Sequence, residues 1–330
     1  PGIWCRIALG GITGHKDFAR DTGLMCRPEE TVDVAEAMLR VFVEHGDRTN
    51  RKKARLKYLL EKEGVSWFLE KSQEKLDAFG SGVRLERLDA GYMKPRAEID
   101  RQAHIGVHPQ KQDGLSYVGV ALELGRLSTD QMRVLADVAK VHGAGDIRLT
   151  VWQNPIIPHI PHDKVAVACK TLEDAGLATR ASAFAAGAVA CTGKWGCKFA
   201  AAYTKQDALD LIRHLEARFT LDTPINIHLT GCANSCAQHY IGDIGLVGAA
   251  APGGGEGYNI VIGGGSDQDQ GLARALCGPV ASADILQIVE HVVGTYLQRR
   301  KGRETFLQFA RGLSDDELMT LLPGAMQSAA

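Results

Sequence analysis

Eight cysteines are the residues of this 330-residue chain that are best suited to chemistry. Four of them form two close pairs, with five residues between Cys191 and Cys197 and three between Cys232 and Cys236. No secretory signal is visible in the sequence, so metal binding or catalysis is a better prediction than a disulfide framework. The other four stand alone in the sequence and are predicted to be small buried side chains: Cys5, Cys26, Cys169 and Cys277.

The spacing within the two pairs distinguishes between metals. Zinc ribbons favour two residues between paired ligands, and five intervening residues fit that geometry poorly. Four thiolates on longer loops suit a [4Fe–4S] cube, because this large cluster holds its ligands apart. Gly231 precedes the second pair and allows close approach of the backbone, while Asn234 can donate a hydrogen bond to sulfur or to a cofactor. The pattern therefore predicts an iron–sulfur cube.

Both pairs lie in a longer pattern that resembles the siroheme-dependent nitrite and sulfite reductases. This pattern consists of CTGKWGC at 191–197, TGCANSCAQH at 230–239 and IGLVG at 244–248. Upstream, LTVWQN at 149–154 is similar to the Thr-x-x-Gln-Asn strand end of that family, and RTNRKKARLKY at 48–58 is similar to its basic helix. The resemblance covers nearly the whole chain, and segment 222–248 looks closest to bacterial assimilatory nitrite reductases.

The resemblance implies two coupled cofactors, a [4Fe–4S] cube and a siroheme. The cube would be ligated by the four paired cysteines, and Cys236 would also bridge to the siroheme iron. The siroheme carboxylates need cations and amides close by. Arg51 and Arg55 are expected to contact those carboxylates. Polar neighbours of the cofactor are expected at Gln153, Asn154 and Asn234.

One departure from the family concerns the substrate site. In the family, the Arg and Lys residues that hold the anionic substrate precede a glycine-rich strand, which Leu9-Gly10-Gly11 resembles here. No catalytic residue is therefore expected in this chain. Only one ferredoxin-like half is visible, where the family has two. The resemblance implies a C-terminal portion that is completed by an N-terminal half, on a longer chain or as a separate subunit.

Hydrophobic periodicity predicts the elements that position these residues. The residues up to Leu9 have the pattern of a strand, and helices are predicted at 30–45, from Leu56 onward and at 66–78. A compact βαβα unit follows, with strands at 116–122 and 147–151 and helices at 129–142 and 163–175. Ser128 and Gln131 form a capping box before the first of these helices. The remaining predicted elements are a helix at 205–219, strands at 225–229, 244–247 and 258–262, and a helix at 282–298.

The predicted fold is α+β, with a ferredoxin-like half-domain between a helical N-terminal segment and a C-terminal α/β siroheme and iron–sulfur lobe. Residues 1–80 would be the helical tail of a siroheme-binding domain. Residues 104–178 would form the nitrite/sulfite reductase ferredoxin-like half-domain. Residues 185–330 would form the [4Fe–4S] and siroheme domain.

Composition and charge argue against several classes of protein. The 38 Lys and Arg against 39 Asp and Glu leave a net charge of −1, which argues against a general nucleic-acid or membrane-surface binder. The most apolar stretch, 181–190, is too short to span a bilayer, so a cytoplasmic protein is expected. The resemblance implies the six-electron reduction of nitrite to ammonium, with ferredoxin or a flavoprotein as electron donor. The alternatives are reduction of sulfite to sulfide and, in another class, an iron–sulfur electron-transfer subunit without its own substrate site.

Overall fold

The computed structural model describes residues 2–87 and 100–327, which form two compact units. The boundary between the units falls in the undescribed segment 88–99. Pro1 and residues 328–330, where the predicted first and last domains begin and end, also lie outside the described residues.

The first unit contains an antiparallel sheet and three helices. Its strands, in sheet order, are β1 (Cys5–Ile12), β2 (Asp17–Cys26) and β3 (Glu86–Arg87). Its helices are α1 (Thr31–His45), α2 (Leu56–Glu63) and α3 (Val65–Phe79). The three helices and the opening strand agree with the predictions. The segment predicted to be helical also contains this sheet. Strand β2 could not be predicted, because it carries polar residues on both faces and shows no alternation of apolar and polar residues.

The first unit has its own apolar core, in which Ala37, Val41, Phe68 and Leu76 are fully buried. These side chains come from α1 and α3, the two helices that pack on each other. The loop between α1 and α2, residues 46–55, carries most of the basic run. Helices α1 and α2 therefore hold the two ends of that loop on a packed core.

The second unit begins with a four-stranded antiparallel sheet and two helices. In chain order these elements are β4 (Gly106–Pro109), β5 (Leu115–Gly119), α4 (Thr129–His142), β6 (Arg148–Leu149), β7 (Pro155–Pro161) and α5 (Val165–Asp174). The sheet order is β4-β5-β7-β6. The predicted capping box is present, since the amide of Gln131 donates to Ser128 Oγ at 3.1 Å and the amide of Ser128 donates to Gln131 Oε1 at 3.0 Å.

The strand composition of this sheet differs from the βαβα prediction. The strand predicted at 147–151 has only two residues, and β7 is the long central strand that pairs with both β5 and β6. Three prolines lie in the β7 sequence PIIPHIP, and proline within an apolar run argues against a central strand. Here β7 is irregularly paired, with a register shift against β5 between Ser116 and Val118.

A five-stranded mixed sheet completes the second unit, in the order β12-β11-β10-β9-β8. Its strands are β8 (Ala188–Ala190), β9 (Ile227–Thr230), β10 (Ile244–Ala250), β11 (Glu256–Ile262) and β12 (Arg274–Ala281). The helices are α6 (Thr204–Glu216), α7 (Ile285–Arg299), α8 (Phe306–Gly312), α9 (Asp315–Met319) and α10 (Gly324–Gln327). Strands β8, β9 and β10 are parallel, whereas β11 and β12 are antiparallel to their neighbours. Among the described helices, none combines the length and apolar character needed to cross a bilayer.

Candidate functional site

The two cysteine pairs begin at the same edge of the mixed sheet. Strands β8 and β9 are parallel neighbours in which Ala190 pairs with Leu229, so the residues that follow them emerge side by side. Cys191 directly follows β8, and its amide donates to the carbonyl of Leu229 at 3.1 Å. The amide of Gly231 donates to Cys191 Sγ at 3.1 Å. Parallel pairing therefore brings together two segments that are far apart in the sequence.

Gly231 allows the two cysteine loops to approach closely. The amide of Ala201 donates to the Gly231 carbonyl at 2.7 Å, which ties the loop after Cys197 to the loop before Cys232. A Cβ atom at position 231 would lie 2.6 Å from the Cβ of Ala200, which is too close for two carbon atoms. This position therefore requires glycine, as the sequence suggested.

The four paired thiols lie near one another. The pKa of Cys236 is raised, first by partial burial of the thiol and then by the charges of Cys191, Cys232 and Cys197. Among the described residues, no group of three or more His, Cys, Asp or Glu side chains is arranged to hold a single metal ion. A [4Fe–4S] cube would take one of these four thiols at each of its irons.

Two buried hydroxyls provide an independent test of whether a cofactor fits this site. Thr230 Oγ1 and Ser235 Oγ are buried and have no hydrogen-bond partner in the described part of the chain. Both lie in the segment that carries Cys232 and Cys236. An unsatisfied buried polar group costs about 1–3 kcal/mol, so such groups need a ligand or water as a partner. A sulfur-rich cluster with acceptor atoms would satisfy them.

Beside Cys236 lies a cleft of about 280 Å³. It is lined by the side chains or backbone of Val151, Trp152, Gln153, Val189, His228, Cys236, Ala237, Gln238, Ile241, Ser266 and Asp267. Cys236 is exposed, so its thiol is accessible from this side. The cleft brings the predicted Gln153 next to the predicted bridging cysteine.

Gln153 contacts β8, the strand that Cys191 follows, through both the nitrogen and the oxygen of its side-chain amide. Its Nε2 donates to the carbonyl of Ala190 at 2.9 Å, and its Oε1 accepts from the amide of Ala190 at 3.4 Å. The backbone of Gln153 has a φ of 63°, in the left-handed region, which turns the side chain toward β8. Gln153 therefore positions the residue before Cys191 in addition to lining the cleft.

The two asparagines differ in position. Asn154 is 5% exposed, and its Oδ1 accepts from the amide of Leu122 at 2.8 Å. It is not among the residues that line the cleft described above, and its oxygen supports the loop after β5. Asn234 is exposed on the turn between Cys232 and Cys236, where its amide remains accessible.

His228 lies on β9 and lines the cleft, although its sequence context favours a structural role. Its Nδ1 donates to the carbonyls of Ala237 at 2.8 Å and Gln238 at 3.2 Å, which fixes the turn after Cys236. Its Nε2 is buried without a partner in the described residues, and the Trp152 ring lies edge-on at 5.8 Å between centroids. Complete burial lowers the pKa of His228 to about 4, so the ring is neutral at neutral pH.

Replacement of His228 by asparagine should change how stability depends on pH. The unfolded chain binds a proton at His228 below about pH 6.5, whereas the folded chain binds it only below about 4. Wild-type stability should therefore fall by up to about 3 kcal/mol as pH falls through this window, and the variant should lack this component. Urea unfolding of both proteins at several pH values between 4 and 7 measures the difference.

The matched control is His291→Asn, because His291 is exposed on α7. This variant controls for the removal of an imidazole from the protein surface. A His228→Asn difference that does not change with pH would show that the folded protein binds a proton at His228 as readily as the unfolded chain does.

Lys205 is a further residue near the cysteines that the sequence did not single out. Its Nζ donates to the carbonyls of Leu124 and, at 3.2 Å, of Ala190. Partial burial lowers the pKa of Lys205, while the charge of Cys191 opposes that shift. The preceding residue, Thr204, donates from Oγ1 to the Cys191 carbonyl at 2.7 Å. In the sequence, these two residues are marked only by their position at the start of an amphipathic helix, which does not predict that they contact the backbone of Ala190 and Cys191.

Arg51 and Arg55 belong to the first unit, in the loop before α2, and both are exposed. Arg55 Nη1 donates to the carbonyl of Ala54 at 2.8 Å. Neither arginine pairs with a carboxylate among the residues that the structure describes. Lys57 differs, because its Nζ lies 3.1 Å from Glu61 Oε1 and 3.3 Å from the carbonyl of His15. The two arginines are therefore free to bind an anionic group.

Comparison with protein families finds two matches in this chain. The model described as the nitrite and sulphite reductase 4Fe-4S domain matches residues 2–78 and 180–310. The model described as the nitrite/sulfite reductase ferredoxin-like half domain matches residues 108–175. Together they cover most of the chain, including all four paired cysteines.

Individual relatives agree with the family matches. The chain is 36% identical to a ferredoxin–nitrite reductase of Synechococcus elongatus over 269 residues, covering 79% of this chain and 50% of the relative. It is 33% identical to sulfite reductase [ferredoxin] 1 of Mycolicibacterium paratuberculosis over 329 residues, covering 96% of this chain and 57% of the relative. The solved structure of the Mycobacterium tuberculosis NirA protein matches with a TM-score of 0.84 and 31% identity, covering 94% of this chain and 57% of that one. The chain thus spans about half the length of these relatives.

Proposed function

Because the chain belongs to the nitrite and sulfite reductase family, we propose that it is the part of a nitrite reductase that holds both cofactors. Members of this family use siroheme and a [4Fe–4S] cluster. The proposed reaction is the six-electron reduction of nitrite to ammonium. The observation that carries this proposal is the convergence of two cysteine pairs at one sheet edge, beside a cleft that Cys236 lines.

The four cysteines would each bind one iron of the cube, with Cys236 shared with the siroheme iron. The two groups held by these residues would supply the one-electron chemistry that the reduction of the substrate needs. The chain's own contribution is to position and tune these groups. The Gly231 amide already donates to Cys191 Sγ, and the hydroxyls of Thr230 and Ser235 are available as further donors. Such hydrogen bonds to sulfur set reduction potentials.

The siroheme would be held by amide and guanidinium groups. Gln153, which lines the cleft together with Cys236, and Asn234, two residues before Cys236, would supply the amides. Asn154 would act through the loop that it supports. Arg51 and Arg55 would contact the siroheme carboxylates, which is supported by their lack of carboxylate partners in the described residues. Arginine suits this role because its planar group binds carboxylates through two parallel hydrogen bonds.

Three segments would carry this function, as the sequence suggested: residues 1–80, 104–178 and 185–330. The family match at 108–175 supports the middle one. The N-terminal half that would hold the anion is proposed to come from a longer chain or another subunit. The chain covers only 50% and 57% of the lengths of two relatives, which supports this proposal.

Of the candidate substrates and electron donors, we propose nitrite and ferredoxin. The Synechococcus relative supports both through its name, ferredoxin–nitrite reductase. Sulfite reduction is the second candidate, because a relative named as a sulfite reductase covers more of this chain. A flavoprotein donor remains the alternative to ferredoxin.

An absorption spectrum of the purified, cofactor-loaded protein tests the proposal. Siroheme should give a strong near-ultraviolet band together with visible bands. Truncation of Arg51 or Arg55 to alanine should lower siroheme content and leave cluster iron unchanged, because each truncation removes a cation proposed to pair with a siroheme carboxylate. Siroheme and acid-labile sulfide are quantified separately.

Lys52→Ala is the matched control, since Lys52 is exposed in the same loop and should be silent. Equal siroheme content in all three variants would show that the basic residues at 48–57 face solvent and do not contact the siroheme. A spectrum with only the broad absorption of a cube would instead favour the electron-transfer subunit.

A further inference from the structure

Two cysteines that are isolated in the sequence face each other in the structure. Cys5 begins β1 and Cys26 ends β2, and the two are direct partners in the antiparallel register. Neither belongs to the four cysteines assigned to the cluster. Both pack on the apolar core of the first unit, where Cys26 is 2% exposed and Cys5 is half-buried. This juxtaposition was not visible in the sequence.

The geometry of such a pair suits a disulfide. Directly opposed residues of antiparallel strands have Cα atoms about 4.5–5.5 Å apart, with both side chains on the same face. Disulfides span Cα separations of about 4.4–6.8 Å. The adjacent residues add a fixed cross-strand contact, because the Arg27 guanidinium carbon lies 5.0 Å from the centroid of the Trp4 ring. The strand ends are therefore held in register.

The thiol of Cys5 also acts electrostatically on the thiol of Cys26. The pKa of Cys26 is raised, first by burial and then by the charge of Cys5. That second effect requires the two thiols to be close. Burial keeps Cys26 protonated and shielded, whereas Cys5 is accessible to small solutes.

We propose that Cys5 and Cys26 form a reversible cross-strand disulfide, which makes this hairpin a redox-sensitive site. With hydrogen peroxide as oxidant, the Cys5 thiolate attacks one oxygen, the O–O bond breaks, and a sulfenic acid and hydroxide form. Cys26 then transfers its proton to the oxygen of the sulfenic acid as its sulfur attacks the Cys5 sulfur, the S–O bond breaks, and water leaves. In total, two thiols and one peroxide give one disulfide and two waters, so the two sulfurs are oxidised and the peroxide is reduced.

The bond would join the start of β1 to the end of β2, next to the start of α1. It would stabilise the hairpin that carries Gly10 and Gly11, chiefly by restricting the unfolded chain. Reduction by a thiol would restore the two free cysteines. This proposal does not depend on either cofactor or on the proposed substrate.

Peptide mapping of the whole chain tests the proposal. The protein is treated with hydrogen peroxide, free thiols are alkylated, and the digest is examined by mass spectrometry. A Cys5–Cys26 cross-linked peptide should become the main form of both cysteines and should disappear after dithiothreitol. The thermal unfolding midpoint of the oxidised protein should rise, and this rise should be absent in Cys5→Ser.

Matched controls use the two other isolated cysteines. Cys169→Ser and Cys277→Ser should both retain the cross-linked peptide, whereas Cys5→Ser and Cys26→Ala should each abolish it. Because Cys5 is half-buried, its serine variant should stay folded even if the Cys26 variant does not. Recovery of Cys5 as an alkylated thiol or a sulfinic acid, with Cys26 still free, would overturn the proposal.

Discussion

The Cys236→Ser variant is expected to lose most of its siroheme and much of its cluster. This thiol is the only one of the four that lines the described cleft, and it is proposed to bind both irons. Loss of even indirect contacts to a metal site costs about 10–100-fold in affinity, and loss of a direct ligand should cost more. Iron, acid-labile sulfide and siroheme contents, with the absorption spectrum, measure the effect.

Cys277→Ser is the matched control. Cys277 lies on β12, away from the paired cysteines in the sheet order, and burial raises its pKa to about 11. Such a thiol is protonated and inert, so this variant should keep both cofactors and the wild-type spectrum. Wild-type cofactor content in Cys236→Ser would show that the bridging ligand has been assigned to the wrong residue.

Residues 1–330, loaded with both cofactors, are expected to reduce nitrite far more slowly than a chain that also carries an N-terminal half. No lysine or arginine is among the described residues that line the cleft, and Asp267 adds negative charge there. Lys194, near the cluster loop, lies 2.8 Å from Glu256 and is already paired. A small anion needs preorganised cations, and the loss of one such group commonly costs about 10²–10³-fold in rate.

A steady-state ammonium assay with reduced methyl viologen as donor measures this difference. The comparison is between residues 1–330, the same chain extended at its N-terminus, and a mixture with a separate N-terminal half. Siroheme content must be matched, so that the rates compare anion binding and not cofactor loading. Comparable turnover by all three would place the anion site inside residues 1–330, contrary to this prediction.

The sequence by itself was enough to identify the paired cysteines as candidate ligands and to predict most of the regular elements. Their spacing, five and three residues, is a property of the chain that argues against zinc knuckles without any coordinates. Helices such as α1 and α4 were predictable because apolar periodicity and a capping box are local signals. The family resemblance rests on the same local motifs, and comparison with relatives confirmed it.

Only the tertiary structure decided which distant residues meet and where their polar atoms point. Strand β7 is central despite three prolines, because pairing on both sides outweighs its poor local propensity. The Gln153 amide binds Ala190 and the Asn154 oxygen binds Leu122, and neither contact could be predicted from the sequence. Strand register, which places Cys5 opposite Cys26, depends on contacts between residues far apart in the chain. Local sequence patterns carry no information about such contacts, because they form only when the whole unit folds.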